Sequence, residues 1–220
     1  MSGSANLLRL MSWLSPVFPT GGFAYSAGLE QAVSASAVTN TDDLREWISR
    51  LLTSGAPWND AVFFAASWRA AGDETTLNEI ADLASAMTGS AERHRETLDQ
   101  GSGFIEAAQH WFEAGVLPSP RSTPLCVAVG AACGLQSIPL ADGLAAFLHA
   151  FAANQLQAAI RLSVTGQRGA ARLLAELEPM IAAAAERAAL STLDDLGSGT
   201  ILADIATMKH ETLQSRLFLS

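Results

Sequence analysis

From Leu140 to Val164 the chain is apolar through almost every turn, yet it carries Asp142, His149, Asn154, Gln155, Gln157 and Arg161. A lipid-facing span does not tolerate that many polar groups, so the stretch reads as a long helix buried inside protein. Such a helix needs other apolar elements to cover it, and the rest of the chain supplies them in helical form. Nearly half of the residues are hydrophobic. Ala, the best intrinsic helix former, dominates them, and strand-favouring Val, Tyr and Thr are not abundant. An all-α fold follows. A chain of 220 residues is enough for one well-filled domain. The expectation is a single-domain bundle of about eight to ten helices over residues 1–220, with 209–220 as a C-terminal tail.

Punctuation divides the chain into elements. A short helix is expected at 6–14, ended by the loop Ser15-Pro16-Val17-Phe18-Pro19-Thr20-Gly21-Gly22, where two prolines and two glycines forbid regular structure. A helix is expected to resume near Ala24 and run to Ser36. Thr41-Asp42-Asp43 can cap the next, at 42–54, whose Leu44, Trp47, Ile48, Leu51 and Leu52 recur at helical spacing. Helices at 58–71 and 74–88 follow. The segment 90–114 opens on the charged turn Glu92-Arg93-His94-Arg95-Glu96 and is expected to bend at Gly101 and Gly103. Gly115, Pro118, Pro120 and Pro124 make 115–124 the clearest loop. The small-residue helix 125–134 allows close helix packing. Helices at 140–164, 168–190 (kinked at Pro179) and 201–208 complete the set, with no internal repeat.

Acidic residues outnumber basic ones by 22 to 13, a formal charge of −9. A phosphate backbone repels such a protein, and no basic cluster with interleaved aromatics is present, so nucleic acid is not an expected partner. Membrane attraction through basic residues is disfavoured on the same ground. The N-terminal run Leu7 to Leu14 is short and cut off by Pro16 and Pro19, unlike a signal peptide. Cys126 and Cys133 lie on one helix face, with Cα atoms roughly 10 Å apart along the axis, too far for a disulfide. They read as small buried hydrophobes in a reducing, cytoplasmic setting.

Chemical motifs are weak. Ala24-Tyr25-Ser26-Ala27-Gly28 has the outline of a nucleophile elbow, but a Pro/Gly loop precedes it where a strand is required. His210-Glu211 opens like a zinc-protease motif, with Gln214 where the second His belongs. No phosphate-binding loop of the G-x-x-x-x-G-K-[ST] type exists. His94, His110, His149 and His210 are scattered, so no metal site is expected within one chain; a weak site formed by His210 and its copy across a two-fold axis is the minor alternative. Asn154, Gln157 and Arg161 share a face of the long helix, as an internal hydrogen-bonded network or as a wet path or partner contact.

Two segments together carry a resemblance. The first is Leu10 to Glu30, with its core Phe18-Pro19-Thr20-Gly21-Gly22-Phe23-Ala24-Tyr25-Ser26-Ala27-Gly28-Leu29-Glu30. The second is His210-Glu211-Thr212-Leu213-Gln214-Ser215-Arg216-Leu217-Phe218-Leu219-Ser220. Between them, Gly166-Gln167 follows the longest apolar helix. In these motifs and their order the chain resembles the urease accessory protein F family over essentially its whole length. It departs from the family pattern at Val164, Gln214 and Leu219.

The resemblance implies an all-helical homodimer without catalytic residues or cofactor. It implies that urease accessory protein D binds the outer flanks and that the pair recruits urease accessory protein G, a GTPase that carries nickel. The assembly then docks on apo-urease, and GTP hydrolysis accompanies nickel insertion. Pro19, Gly21, Gly22, Gly28, Gly166 and Gln167 are the expected structural motif residues. Phe23, Tyr25, Ser26, Glu30, His210, Glu211 and Arg216 are the expected partner-binding residues.

Physical readings of these residues remain open. Phe23 is either an exposed aromatic on a rigid turn or a core plug. Glu30 belongs to the same surface or to a solvated helix face. Arg216, with His210 and Glu211, either shapes a partner-facing surface through bidentate bonds or clamps the tail within the chain. Two other function classes stand beside the adaptor: a small helical enzyme using Ser26 or His210, and a helical interaction scaffold unrelated to urease.

Overall fold

The structure, a computed structural model, describes residues 3–119 and 122–220. Pro120, one of the prolines expected in the 115–124 loop, lies outside the described residues. Among those described, the fold is all-α, with no strand. The helices are α1 (Gly3–Trp13), α2 (Leu29–Ser34), α3 (Thr41–Ser54), α4 (Ala56–Arg69), α5 (Glu74–Ala86), α6 (Ala91–Ala108), α7 (Leu125–Leu135), α8 (Leu140–Arg161), α9 (Gln167–Leu190) and α10 (Ile201–His210). Short 3-10 turns stand at Gly22–Ala24, Gln109–Trp111 and Leu193–Asp195.

The middle of the bundle is α4, which buries Trp58, Ala61, Val62, Phe63, Phe64 and Ala65. It packs on α7, whose residues Cys126 to Cys133 are all buried. The small residues of α7 serve that contact: a Cβ on Gly130 would stand 2.5 Å from the Phe64 carbonyl oxygen. Phe64 also meets Phe147 of α8 with ring centroids 5.4 Å apart. The α8 helix in turn packs along α9. Arg69 donates to the Ser191 and Ala189 carbonyls at 2.9 and 2.7 Å, satisfying acceptors that the end of α9 leaves open. At the other end, α1 is pinned by Trp13, which is buried against Phe104 and stacked on Phe112 at 5.8 Å.

Several local expectations change. The helix expected from Ala24 begins only at Leu29, because Tyr25 is extended and Ala27 and Gly28 both have positive φ. Helix α3 is capped by Asn40, whose side-chain oxygen accepts from Asp42 N at 2.9 Å and Asp43 N at 3.0 Å, instead of by the Thr41-Asp42-Asp43 run. Helix α6 runs through both glycines and ends at Ala108. Its glycines are sites of close approach: a Cβ on Gly101 would lie 2.0 Å from the Thr123 carbonyl oxygen, and one on Gly103 would lie 2.6 Å from that of Pro19. Helix α9 keeps Pro179 inside one continuous element.

Candidate functional site

The segment Pro19–Glu30 cannot be helical throughout, because Gly21 and Gly28 take left-handed conformations at φ 72 and 82. Gly28 has a second reason to lack a side chain: its Cβ would fall 2.8 Å from the Thr207 hydroxyl, where α10 leans on the start of α2. Between the two glycines, extended backbone leaves donors and acceptors open, and the last residues of the chain fill them. Leu219 N donates to Ala24 O and Ser26 N donates to Ser220 O, each at 2.8 Å. The Ser26 hydroxyl also donates to the Ser220 carbonyl.

Glu30 extends this junction. Its carboxylate accepts from Leu217 N at 2.7 Å and Phe218 N at 3.1 Å, and it lies 3.0 Å from His210 Nε2. The other ring nitrogen of His210 lies 2.7 Å from Glu92 Oε2 on α6, and Arg216 bonds the second oxygen of Glu92. Glu211 accepts from the Ala91 amide at 2.8 Å, so a tail carboxylate caps the positive end of α6. One turn further on, Glu96 accepts from the Ser220 hydroxyl at 2.9 Å and pairs with Arg93, which also bonds Asp60 of α4.

Helix α8 closes the junction from a third side. Asn154 donates to Tyr25 O at 3.1 Å and Gln155 to Ser26 O at 2.9 Å. Arg161 donates to Phe23 O at 2.7 Å and Leu217 O at 3.3 Å, and its guanidinium lies 4.1 Å over the Phe218 ring. Of the polar face expected on this helix, Asn154 and Arg161 join the internal network. Gln157 is exposed, and Gln155 takes its place.

The network draws the two motifs into one clamp. Tyr25, Ser26, Glu30 and His210 are buried within it, whereas Glu211 and Arg216 keep exposed faces. Phe23 is 70 % exposed, so the core-plug reading does not hold, and Glu30 is not on a solvated face. The His210 ring has no exposure and cannot meet its copy across an axis. Gly166 caps α9 at Gln167; nothing in the structure explains the glycine there. Sequence reasoning missed Glu92, Arg93, Glu96, Asp60 and Gln155. The charged turn at 92–96 was their visible signal: those carboxylates and Arg93 begin an amphipathic helix whose charged face turns inward.

Burial, then the neighbouring Asp99 carboxylate, to which the Tyr25 hydroxyl donates at 3.3 Å, push the Tyr25 phenol up to about 12. Burial acts to lower Arg93, but Asp60 and Glu96 outweigh it and hold the guanidinium firmly charged. Among the described residues no group of three or more His, Cys, Asp or Glu side chains is arranged to hold a metal ion. No helix there is long and apolar enough to cross a membrane.

Comparison with known proteins places this arrangement in a family. The UreF family model matches residues 38–178, more than half of the chain. A urease accessory protein UreF of Brucella ovis is 54% identical over 218 residues, covering 97% of this chain and 94% of its own. Proteins of the same name from Agrobacterium fabrum and Mesorhizobium japonicum are each 51% identical, covering 100% and 99% of this chain and 98% and 97% of their own. With the family matched across the middle of the chain and such relatives aligned almost end to end, the chain belongs to the UreF family.

Proposed function

We propose that the chain is a non-catalytic adaptor in urease maturation, acting with urease accessory proteins D and G to support GTP-dependent insertion of nickel into apo-urease. The observation that carries this reading is the near-full-length identity to proteins named urease accessory protein UreF. The clamp supports it physically. Arg161 holds the carbonyls of both Phe23 and Leu217, so the backbone beneath two exposed apolar side chains, one from each end of the sequence, is fixed by a single guanidinium. Leu219 is also exposed, and Arg216, paired with Glu92, is partly exposed. A rigid aromatic with an adjacent Arg is the composition of interface hot spots.

An enzymatic role for Ser26 or His210 has no support in the site. The Ser26 hydroxyl is buried and committed to the tail, and both His210 nitrogens face carboxylates. In this reading nickel is cargo, the working unit is a cytoplasmic homodimer, accessory protein D takes the flanks, and accessory protein G takes the surface of Phe23 and Arg216. Buried Tyr25, Ser26, Glu30 and His210 serve G indirectly, by holding that surface in shape.

Size-exclusion chromatography with light scattering tests the reading, using this protein with accessory proteins D and G and GDP or GTP with magnesium. The expected result is a co-eluting complex with two copies of each chain. A folded protein that does not bind D removes the proposal. Arg216→Ala is expected to leave the helical circular dichroism intact and to weaken recruitment of G about tenfold or more. Unchanged affinity for G would remove Arg216 from the interface.

A further inference from the structure

His210 is held in a way that constrains its protons. Its ring is without exposure, and both nitrogens face carboxylate oxygens: Nδ1 lies 2.7 Å from Glu92 and Nε2 lies 3.0 Å from Glu30. A neutral imidazole has one N–H, and an ionised carboxylate only accepts. A neutral ring would therefore set one nitrogen lone pair against a carboxylate lone pair in a site closed to water. The remaining bonds keep both carboxylates in accepting roles. Glu30 takes the Leu217 and Phe218 amides, and Glu92 takes Arg216. Wherever the extra proton sits along these short links, the docked arrangement holds one more than a neutral imidazole beside two carboxylates.

We infer that docking of the last turn of α10 and residues 211–220 onto α2 and α6 takes up one proton, held at His210 between Glu30 and Glu92, so that the tail is a proton-sensitive latch.

The surrounding charges favour this arrangement. From α6, Glu92 faces the ring directly, while Arg93 and Glu96 pair with each other and Arg93 with Asp60 of α4. From α2, Glu30 faces it. From the tail, Arg216 is engaged with Glu92, and Glu211 with the amides at the start of α6. Lys209, the neighbour of His210 on α10, is exposed.

Because docking takes up a proton, it weakens as the pH rises and strengthens as it falls. The inference does not depend on the adaptor reading, because the free chain suffices to test it.

The experiment follows the backbone amides of Leu217, Phe218 and Leu219 and the ring nitrogens of His210 by NMR in the whole protein, from about pH 6 to about pH 9. The expected result is a shared one-proton transition in which the tail amides move from docked to released positions as the pH rises. In Glu92→Gln the amide can donate to a neutral ring and still accept from Arg216, so the tail is expected to stay docked throughout. In His210→Gln the titrating ring is gone and the transition must vanish. Tail amides that stay docked over the whole range in the wild type overturn the proposal, as does a wild-type transition that persists in either variant.

Discussion

Glu30 is a buried carboxylate that accepts two tail amides and faces a buried imidazole. Removing it takes the partner from three polar groups, two of which, His210 Nε2 and Phe218 N, are buried away from water. Glu30→Ala is therefore expected to destabilise the protein by about 3 kcal/mol. A urea titration would register this as a lower midpoint with an unchanged slope; a midpoint equal to wild type would mean that the clamp adds nothing to stability. At this scale the sequence singled out residues that the structure brings together, through Gly-Leu-Glu near one end and Ser-Arg-Leu-Phe near the other. It did not show that they touch. The Glu30–His210 contact spans 180 positions, and no periodicity reports a bond of that range. For the same reason Glu30 reads as a surface residue from its neighbours alone, and the exposure of Phe23 is decided by a turn that leaves both outcomes open in the sequence.

Elements were legible where apolar periodicity is strong, as in α3, where an apolar run is long, as in α8, and where Gly or Pro ends a run. They were misread where a glycine answers to a distant neighbour. Gly101 and Gly103 look like helix breakers, yet α6 passes through both because other backbone segments lie against them. A substitution at Gly101 separates the two meanings by sign. Helix propensity alone makes Gly→Ala stabilising by about 1 kcal/mol. A Cβ 2.0 Å from the Thr123 carbonyl oxygen, and 3.0 Å from Leu125 N, cannot be accommodated without moving backbone. Gly101→Ala is expected to destabilise by about 1–3 kcal/mol, read as a lower thermal midpoint. A stabilised variant would mean that the segment before α7 does not rest on α6. The region after Gly21 failed for the opposite reason: its helix-compatible residues are held non-helical because the tail, not a helical turn, supplies their hydrogen-bond partners.

At the scale of the whole molecule, the buried residues form one connected apolar cluster that reaches from Leu10 to Phe218. The tail docks on α2, α6 and α8, so the last residues of the chain are tied to its first third. We propose on this basis that residues 1–220 unfold as one unit, and the two cysteines supply the probe. Cys126 and Cys133 are free, buried and on the helix packed against the centre of the bundle. Burial pushes the Cys133 thiol up to about 12, and burial with the nearby Asp60 carboxylate raises Cys126 as well. The thiolate is the reactive form, so both sites are protected by access and by protonation until the core opens. The expected outcome of alkylation across a denaturant series is that Cys126 and Cys133 become reactive together, at the midpoint reported by helical circular dichroism. Release of the tail alone, as the proton latch predicts at higher pH, should leave both thiols protected, because both are buried on α7, and Cys126 is linked to the tail only indirectly, through Asp60, Arg93 and Glu96. Labelling of one cysteine well before the other would divide the bundle into separable units and set aside the single-domain proposal.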